Sequence, residues 1–176
     1  MMRWWMASAI AGLAAMAAGT AGAAVPAPRV SIASFEQLAQ PLPRPYDEKA
    51  DKAAADRAVA AAKARAIAGR KLLLIDLGGN WCADCRILAG VMDVPEVRAF
   101  VRRHYELVMV DVGQFDRNLH IPARYGITDR LKGVPSLLVV DPRTNRLLNP
   151  GRTAALADAR HLTPQALADW LAQWAR

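Results

Sequence analysis

Two cysteines, the only ones among the 176 residues, stand two residues apart at Cys82 and Cys85. An aliphatic run over 72–77 precedes them and a long helical pattern follows, so we expect them at a strand-to-helix junction. At the start of a helix, unpaired backbone N–H groups and the helix dipole stabilise a thiolate at Cys82. Cys85 lies almost one turn further on the same face, where it can attack a mixed disulfide formed on Cys82. The pattern predicts thiol–disulfide exchange, with Cys82 as the nucleophile and Cys85 as the resolving thiol.

An acidic residue, Asp76, interrupts the aliphatic run before the cysteines. A buried carboxylate is costly unless it finds a partner or takes up a proton. The residues alone leave two interpretations open. Either the Asp76 side chain reaches solvent or loop N–H groups at the end of the strand, or it is a carboxyl of raised pKa that exchanges a proton with the Cys85 thiol.

Three separated motifs together resemble the active site of the thioredoxin superfamily. They are the Trp-Cys-x-x-Cys sequence at 81–85, Asp76 in the preceding strand, and the downstream segments Tyr125-Gly126-Ile127 and Gly133-Val134-Pro135-Ser136. The similarity extends over roughly 47–174. It implies a thioredoxin-like α/β fold, in which helices flank a central mixed β-sheet of four to five strands.

The resemblance also implies substrate-binding residues. A cis peptide bond at Val134–Pro135 would present the backbone N–H and carbonyl of Val134 to an extended substrate strand. Trp81 is either a core residue or a wall of the substrate groove, and its place beside a reactive thiol favours the groove. The loop at 128–132 is longer than in thioredoxin, and we expect it to border the active site.

Asp84 departs from the residues that the superfamily usually carries between its cysteines. Common thioredoxins have glycine and proline there, and strongly oxidising relatives have a histidine. A carboxylate at this position disfavours a Cys82 thiolate by repulsion, which favours reduction or isomerisation over oxidation. Arg86 follows closely and is a candidate to offset part of this charge. Alternatively, Asp84 only caps the first turn of the helix.

The rest of the pattern predicts how the elements alternate. Strands are expected over 71–77, 106–112, 136–141 and 146–148, with a hairpin turn between the last two. Helices are expected over 47–68 with Gly69 as the C′ residue, over 86–104 with a break near Asp93 caused by Pro95, over 118–125, and from Pro164 to about 175 with Thr163 as N-cap. The segment 149–161 has no pattern that places it.

The chain divides into three parts. Residues 1–24 have the features of a secretory signal peptide: Arg3, then an apolar stretch, then Ala21-Gly22-Ala23 as a cleavage site. An uncleaved N-terminal membrane anchor is the alternative. Residues 25–46, here called the lead-in, are proline-rich and extended, either lying along the domain or forming a loose tether. Residues 47–176 form the thioredoxin-like domain, which we expect in the periplasm or otherwise outside the cytoplasm.

Composition narrows the classes of partner. The 23 basic and 16 acidic residues give a net charge of +7, spread along the chain without a block of like charges. A solvated basic surface is the simplest interpretation. No nucleic-acid motif is present in the sequence, so we expect no nucleic-acid partner. The length suits one compact domain, and we expect a monomer.

The leading hypothesis is a thiol–disulfide oxidoreductase that acts on protein thiols and disulfides, more as a reductase or isomerase than as an oxidant. Its redox group would be the Cys82–Cys85 disulfide, with no other cofactor. Outside the cytoplasm, a reductant would need an electron donor in the membrane. A purely structural disulfide is disfavoured because so short a loop closes too little chain to stabilise much.

The alternative is a copper-binding chaperone of the same fold, since two thiolates also suit Cu⁺. A closed zinc site is not expected because the sequence has no second cysteine pair. The histidines, His104, His120 and His161, are scattered without ligand spacing.

Overall fold

A four-stranded mixed sheet forms the centre of the computed structural model, which describes residues 25–176. Its strands are β1 Leu72–Gly78, β2 Tyr105–Asp111, β3 Ser136–Asp141 and β4 Arg146–Leu147, in the order β2-β1-β3-β4. β1 runs parallel to β2 and antiparallel to β3, and β4 is the hairpin partner of β3. The predicted α/β fold with a mixed sheet is confirmed. The predicted signal peptide lies outside the described residues.

Five α-helices flank the sheet in the part of the chain that the structure describes. They are α1 Lys52–Gly69, α2 Ala83–Asp93, α3 Pro95–His104, α4 His120–Ala123 and α5 Pro164–Trp174. Two short 3-10 helices, Phe35–Gln37 and Ala159–His161, lie in the lead-in and before α5. Within residues 25–176, no helix combines the length and apolar character needed to span a membrane.

β1 is the innermost strand, and all seven of its residues are buried. Its side chains alternate between two cores. Those at 72 and 74 join a cluster with α2, α3 and α5, whereas those at 73, 75 and 77 join a cluster with α1. Because alternate residues of a strand share a face, Asp76 and Gly78 lie on the same side of the sheet as Leu72 and Leu74.

α1 differs from its predicted bounds at both ends. It begins at Lys52 because Asp51 is the N-cap and accepts the N–H of Ala54 at 2.7 Å, while Asp47 closes a separate turn. Gly69, predicted as the C′ residue, is instead the last helical residue, and Arg70 takes the left-handed conformation with φ 53°. The thin alanine-rich face is buried as expected, which brings α1 close to the sheet.

Proline ends the second helical pattern and opens the last helix. α2 stops at Asp93 and α3 restarts with Pro95 at its first position, so the predicted break is confirmed. Thr163 caps α5 by accepting the N–H of Ala166 at 3.1 Å, also as predicted. Elsewhere the differences are small: β2 begins one residue earlier than expected, and α4 covers only the middle of the predicted 118–125 helix.

The lead-in lies along the domain and is not a loose tether. Near its start, Gln165 on α5 donates to the carbonyl oxygen of Pro28 at 3.0 Å. Near its end, Arg86 on α2 donates to the carbonyl oxygen of Leu42 at 2.8 Å. These bonds hold the lead-in against α5 and α2.

Candidate active site

The two cysteines stand at the start of α2, as the sequence predicts. Cys82 is the N-cap and forms a disulfide with Cys85, with the two Cα atoms 5.3 Å apart. The Cys82 Sγ also accepts the backbone N–H of Cys85 at 3.1 Å, so the unpaired end of the helix points at this sulfur. Cys82 keeps 6% of its surface exposed, whereas Cys85 is fully buried. Cys82 is therefore the more accessible of the two cysteines.

The turn at Gly78-Gly79-Asn80 joins β1 to the disulfide. Its first residue, Gly78, has no space for a side chain. A Cβ on Gly78 would lie 2.9 Å from the Cys85 Sγ and would overlap the hydroxyl of Tyr46. Glycine is needed at this position because the Cys85 Sγ and the Tyr46 hydroxyl both lie where a Cβ would be.

The segment that leads into β3 approaches the disulfide from another direction. The Val134–Pro135 peptide bond is cis. The carbonyl oxygen of Val134 lies 3.5 Å from the Cys82 Sγ. Ser136 supports this turn by donating its hydroxyl to the carbonyl of Gly133 at 2.7 Å. The fold thus brings the Val134–Pro135 turn, which the resemblance predicts to bind substrate, next to the Cys82 sulfur.

Asp76 is fully buried on β1, where its backbone pairs with Met109 of β2 and Leu137 of β3. Its Oδ1 accepts a hydrogen bond from the hydroxyl of Tyr46 at 3.0 Å, and its Oδ2 has no partner among the described residues. Burial raises the pKa of Asp76 to about 7, although the Tyr46 hydrogen bond opposes this rise. The solvent-exposed alternative is excluded, and the carboxyl titrates near neutral pH, where it can exchange a proton.

Tyr46, at the end of the lead-in, is a site residue that the sequence pattern does not identify. It is buried and connected to Asn80 by two hydrogen bonds. Its backbone N–H donates to Asn80 Oδ1 at 3.1 Å, and Asn80 Nδ2 donates to its carbonyl at 2.8 Å. A tyrosine after a proline-rich stretch carries no chemical signal, so only the folded chain shows that it reaches Asp76.

Asp84 pairs with Arg160, and not with Arg86 as expected. The Asp84 Oδ1 accepts the Arg160 backbone N–H at 2.9 Å and the guanidinium Nε at 3.0 Å. Burial pushes the pKa of Asp84 upwards, but the bonds from Arg160 outweigh it and hold that pKa below its usual value. Arg86 instead points to the lead-in, where it donates to the carbonyls of Leu42 and Pro43. The counter-charge to Asp84 comes from the segment that could not be placed from sequence.

Trp81 is 46% exposed and forms one side of an aromatic surface beside Cys82. Its Nε1 donates to the carbonyl of Gly113 at 2.8 Å, and its ring meets the edge of Phe115 with centroids 6.1 Å apart. The guanidinium of Arg130 lies 5.1 Å from the Phe115 centroid. The loop at 128–132 therefore reaches the surface next to Trp81, and the indole is exposed and not part of the core.

Within residues 25–176, no group of three or more histidine, cysteine or acidic side chains is arranged to hold a metal ion. Two of the histidines contact acidic side chains. His120 Nε2 lies 2.7 Å from Asp56, and His161 Nδ1 lies 2.6 Å from Asp158.

Parts of this chain are similar to known proteins. A family model described as Thioredoxin-like matches residues 53–142. A crystal structure described as a disulphide isomerase from Xylella fastidiosa Temecula1 is 36% identical, covering 74% of this chain and 96% of that one with a TM-score of 0.65. A protein of unknown function from Pseudomonas aeruginosa is 21% identical over 68% of this chain and 83% of its own, with a TM-score of 0.36. No curated protein matches the chain.

The residues matched by the family model include β1, α2 and the Cys82–Cys85 pair that form the site. The chain belongs to the thioredoxin-like family.

Proposed function

We propose that this protein is a thiol–disulfide oxidoreductase that reduces or isomerises disulfides in protein substrates outside the cytoplasm. The observation that carries the proposal is the position of Cys82. Its sulfur lies at the N-terminus of α2 and 3.5 Å from the Val134 carbonyl, while its partner Cys85 is buried behind it. An attacking thiolate needs stabilisation and access, and a resolving thiol needs protection from other substrates.

Reduction would take place in two exchanges. The Cys82 thiolate attacks one sulfur of a substrate disulfide; that bond breaks, and the other substrate sulfur leaves with the electron pair and takes a proton. Cys85, having lost its proton to the Asp76 carboxylate, then attacks the Cys82 Sγ. The second substrate sulfur leaves as a thiol, the Cys82–Cys85 disulfide forms, and two electrons have passed to the substrate.

Isomerisation begins with the same attack of Cys82 on a substrate disulfide and does not need the attack by Cys85. The substrate thiol released in that step attacks another disulfide of the same chain, and a later exchange frees Cys82 again as a thiolate. No electrons are transferred overall. The similarity to a disulphide isomerase at 36% identity supports this mode. Asp84 supports both modes over net oxidation, although its pairing with Arg160 weakens the repulsion that it exerts on a Cys82 thiolate.

The substrate would lie as an extended strand between Trp81 and the turn at Val134–Pro135. There the Val134 backbone would pair with the substrate main chain, and the exposed indole would cover an apolar side chain. Backbone pairing does not depend on side-chain identity, which suits an enzyme that acts on many proteins.

The predicted signal peptide at 1–24 is the basis for a location outside the cytoplasm. In an oxidising compartment, a reductase or isomerase must be kept reduced, so we expect an electron donor in the membrane that returns electrons to Cys82–Cys85. We expect the protein to work as a monomer.

Two assays on the reduced protein test the proposal. Reduction of insulin measures reductase activity, and recovery of a substrate refolded from scrambled disulfides measures isomerase activity. The wild type should accelerate at least one of them, and Cys82→Ser should reduce the rate to that of the buffer. Inactivity of the wild type in both assays would refute the proposal.

The copper-chaperone alternative is separated from this one by titrating Cu⁺ into the reduced protein. Stoichiometric, tight binding that depends on Cys82 and Cys85, together with inactivity in both disulfide assays, would favour the chaperone. Weak binding with retained exchange activity would favour the oxidoreductase.

A further inference from the structure

One side chain at the end of the lead-in, that of Tyr46, contacts the redox site. The Tyr46 hydroxyl donates to Asp76 Oδ1 at 3.0 Å. It also lies in the space beside Gly78 that the Cys85 Sγ borders, where a Cβ would contact both groups. Tyr46 is 3% exposed, so its hydroxyl makes these contacts away from solvent. A residue outside the predicted domain therefore contacts the carboxyl that serves the resolving cysteine.

Two sets of hydrogen bonds hold Tyr46 in this position. The paired bonds between its backbone and the side chain of Asn80 attach it to the turn that carries Trp81 and Cys82. One helical turn into α2, Arg86 donates to the carbonyls of Leu42 and Pro43 and attaches the preceding part of the lead-in. The lead-in is thus bonded to both sides of the cysteine pair.

Among the described residues, the Tyr46 hydroxyl is the one hydrogen-bond partner of the Asp76 side chain. On the neighbouring strands, the residues paired with Asp76 are Met109 and Leu137, which carry no charge. Of the titratable side chains at the start of α2, Cys85 approaches Gly78, whereas Asp84 and Arg86 are bonded to Arg160 and to the lead-in. Asp111, at the end of β2, acts on Tyr46. Burial, followed by the charges of Asp76 and Asp111, raises the pKa of the Tyr46 phenol well above its usual value. Tyr46 therefore stays a hydrogen-bond donor throughout the physiological pH range.

Resting on the function proposed above, we propose that Tyr46 is a positioning residue for the resolving step. Its hydroxyl donates a hydrogen bond to Oδ1 of Asp76 and so stabilises the carboxylate that accepts the Cys85 proton. The proton then resides on Oδ2, the oxygen without a partner among the described residues. Tyr46 itself neither gains nor loses a proton, and it makes the lead-in part of the redox site.

Tyr46→Phe tests this role because it keeps the ring and removes only the hydroxyl. Tyr105→Phe is the matched control: the Tyr105 hydroxyl is also buried and donates to an oxygen, the carbonyl of Leu171, at 2.6 Å. Titration of ¹³C-labelled aspartate by NMR should be done on the oxidised protein, in which neither cysteine titrates. The Asp76 midpoint should rise by about one pH unit or more in Tyr46→Phe, since a hydrogen bond to the charged form is lost, and should not move in Tyr105→Phe.

Kinetics of the reduced protein supply the second measurement. In single-turnover oxidation by a protein disulfide, followed by tryptophan fluorescence, the limb of the pH–rate profile that reports Asp76 should move to higher pH in Tyr46→Phe by the same amount. A purely structural role would lower the rate without moving this limb. An unchanged Asp76 midpoint, or a profile identical to that of Tyr105→Phe, would overturn the proposal.

Circular dichroism checks that Tyr46→Phe folds. If it does not, Asn80→Ala replaces it, because this variant loosens the backbone of Tyr46 and leaves the hydroxyl present. The midpoint should then shift in the same direction by a smaller amount, and an unchanged midpoint counts against the proposal. Failure of the wild type to exchange disulfides would refute the proposed function, whereas an active wild type with superimposable variant profiles would refute the role of Tyr46 alone.

Discussion

The Asp84 carboxylate, which lies between the two cysteines, is held by the backbone N–H and guanidinium of Arg160 from a segment 76 residues away. The side chain of Asp84 is almost completely buried and that of Arg160 is half-exposed. The pair attaches the 3-10 helix Ala159–His161 to the first turn of α2. It also places a cation beside the one negative charge that lies between the two cysteines in the sequence.

Removing the charge of Arg160 and removing the charge of Asp84 should shift the redox potential of Cys82–Cys85 in opposite directions. Arg160→Gln leaves the Asp84 charge uncompensated, destabilises a Cys82 thiolate, and should make the potential more negative. Asp84→Asn removes the negative charge, leaves the Arg160 guanidinium in place, and should make the redox potential more positive. Each change should be on the order of 30 mV, a tenfold change in the exchange equilibrium, measured against a glutathione buffer.

The double variant Asp84→Asn with Arg160→Gln should return close to the wild-type potential. Asp158→Asn is the control, because Asp158 is an exposed acid of the same segment that contacts His161. Equal shifts in the same direction for both single variants would show that the pair acts through folding and not through charge.

The buried carboxyl of Asp76 should make the free energy of unfolding of the oxidised protein depend on pH. Its pKa rises from 3.8 to about 7 on folding, so its stabilising contribution is complete below pH 3.8 and is lost as pH rises through 7. Asp76→Asn removes this dependence. Relative to the wild type, the variant should gain about 2–3 kcal/mol between pH 5 and pH 8 in urea unfolding.

Asp93→Asn, which changes an exposed aspartate at the end of α2, provides the comparison and should follow the wild-type pH dependence. If Asp76→Asn also runs parallel to the wild type across this pH range, the carboxyl is not protonated in the folded state near neutral pH.

The two cysteines should behave differently when each is replaced alone. Cys85→Ala leaves the accessible Cys82 without a resolving thiol, so a mixed disulfide with a protein substrate should accumulate and be visible by non-reducing electrophoresis. Cys82→Ser should accumulate none, because Cys85 is fully buried. Comparable trapping by both single variants would mean that the buried sulfur reaches substrate, against the roles assigned here.

Replacing the exposed indole should affect protein substrates more than small ones. Trp81→Ala should raise KM for insulin by about tenfold, since an aromatic contact of this kind contributes on the order of 1 kcal/mol or more. Exchange with glutathione disulfide should change little. Trp174→Ala is the control because this tryptophan ends α5, where it contacts Trp170. Equal losses with both substrates would place Trp81 in the chemistry and not in recognition.

The sequence by itself determined the chemistry and the elements that carry it. The spacing of Cys82 and Cys85, the aliphatic run before them, the break at Pro95 and the cap at Thr163 are all set by residues close together in the chain. Local sterics, capping and periodicity act over a few residues, so these features can be predicted from the sequence without a structure. The fold class followed because the strand, the helix and the downstream Gly-Val-Pro segment occur in the order typical of one family.

Only the tertiary structure decided which side chains surround the cysteines. Tyr46 meets Asp76 across 30 residues, Arg160 meets Asp84 across 76, and Arg86 turns away to Leu42 across 44. These partners lie in the lead-in and in 149–161, two segments without the periodicity of a helix or a strand. A hydrogen bond between distant residues depends on where the whole chain places both groups, and that information is not present in the neighbourhood of either.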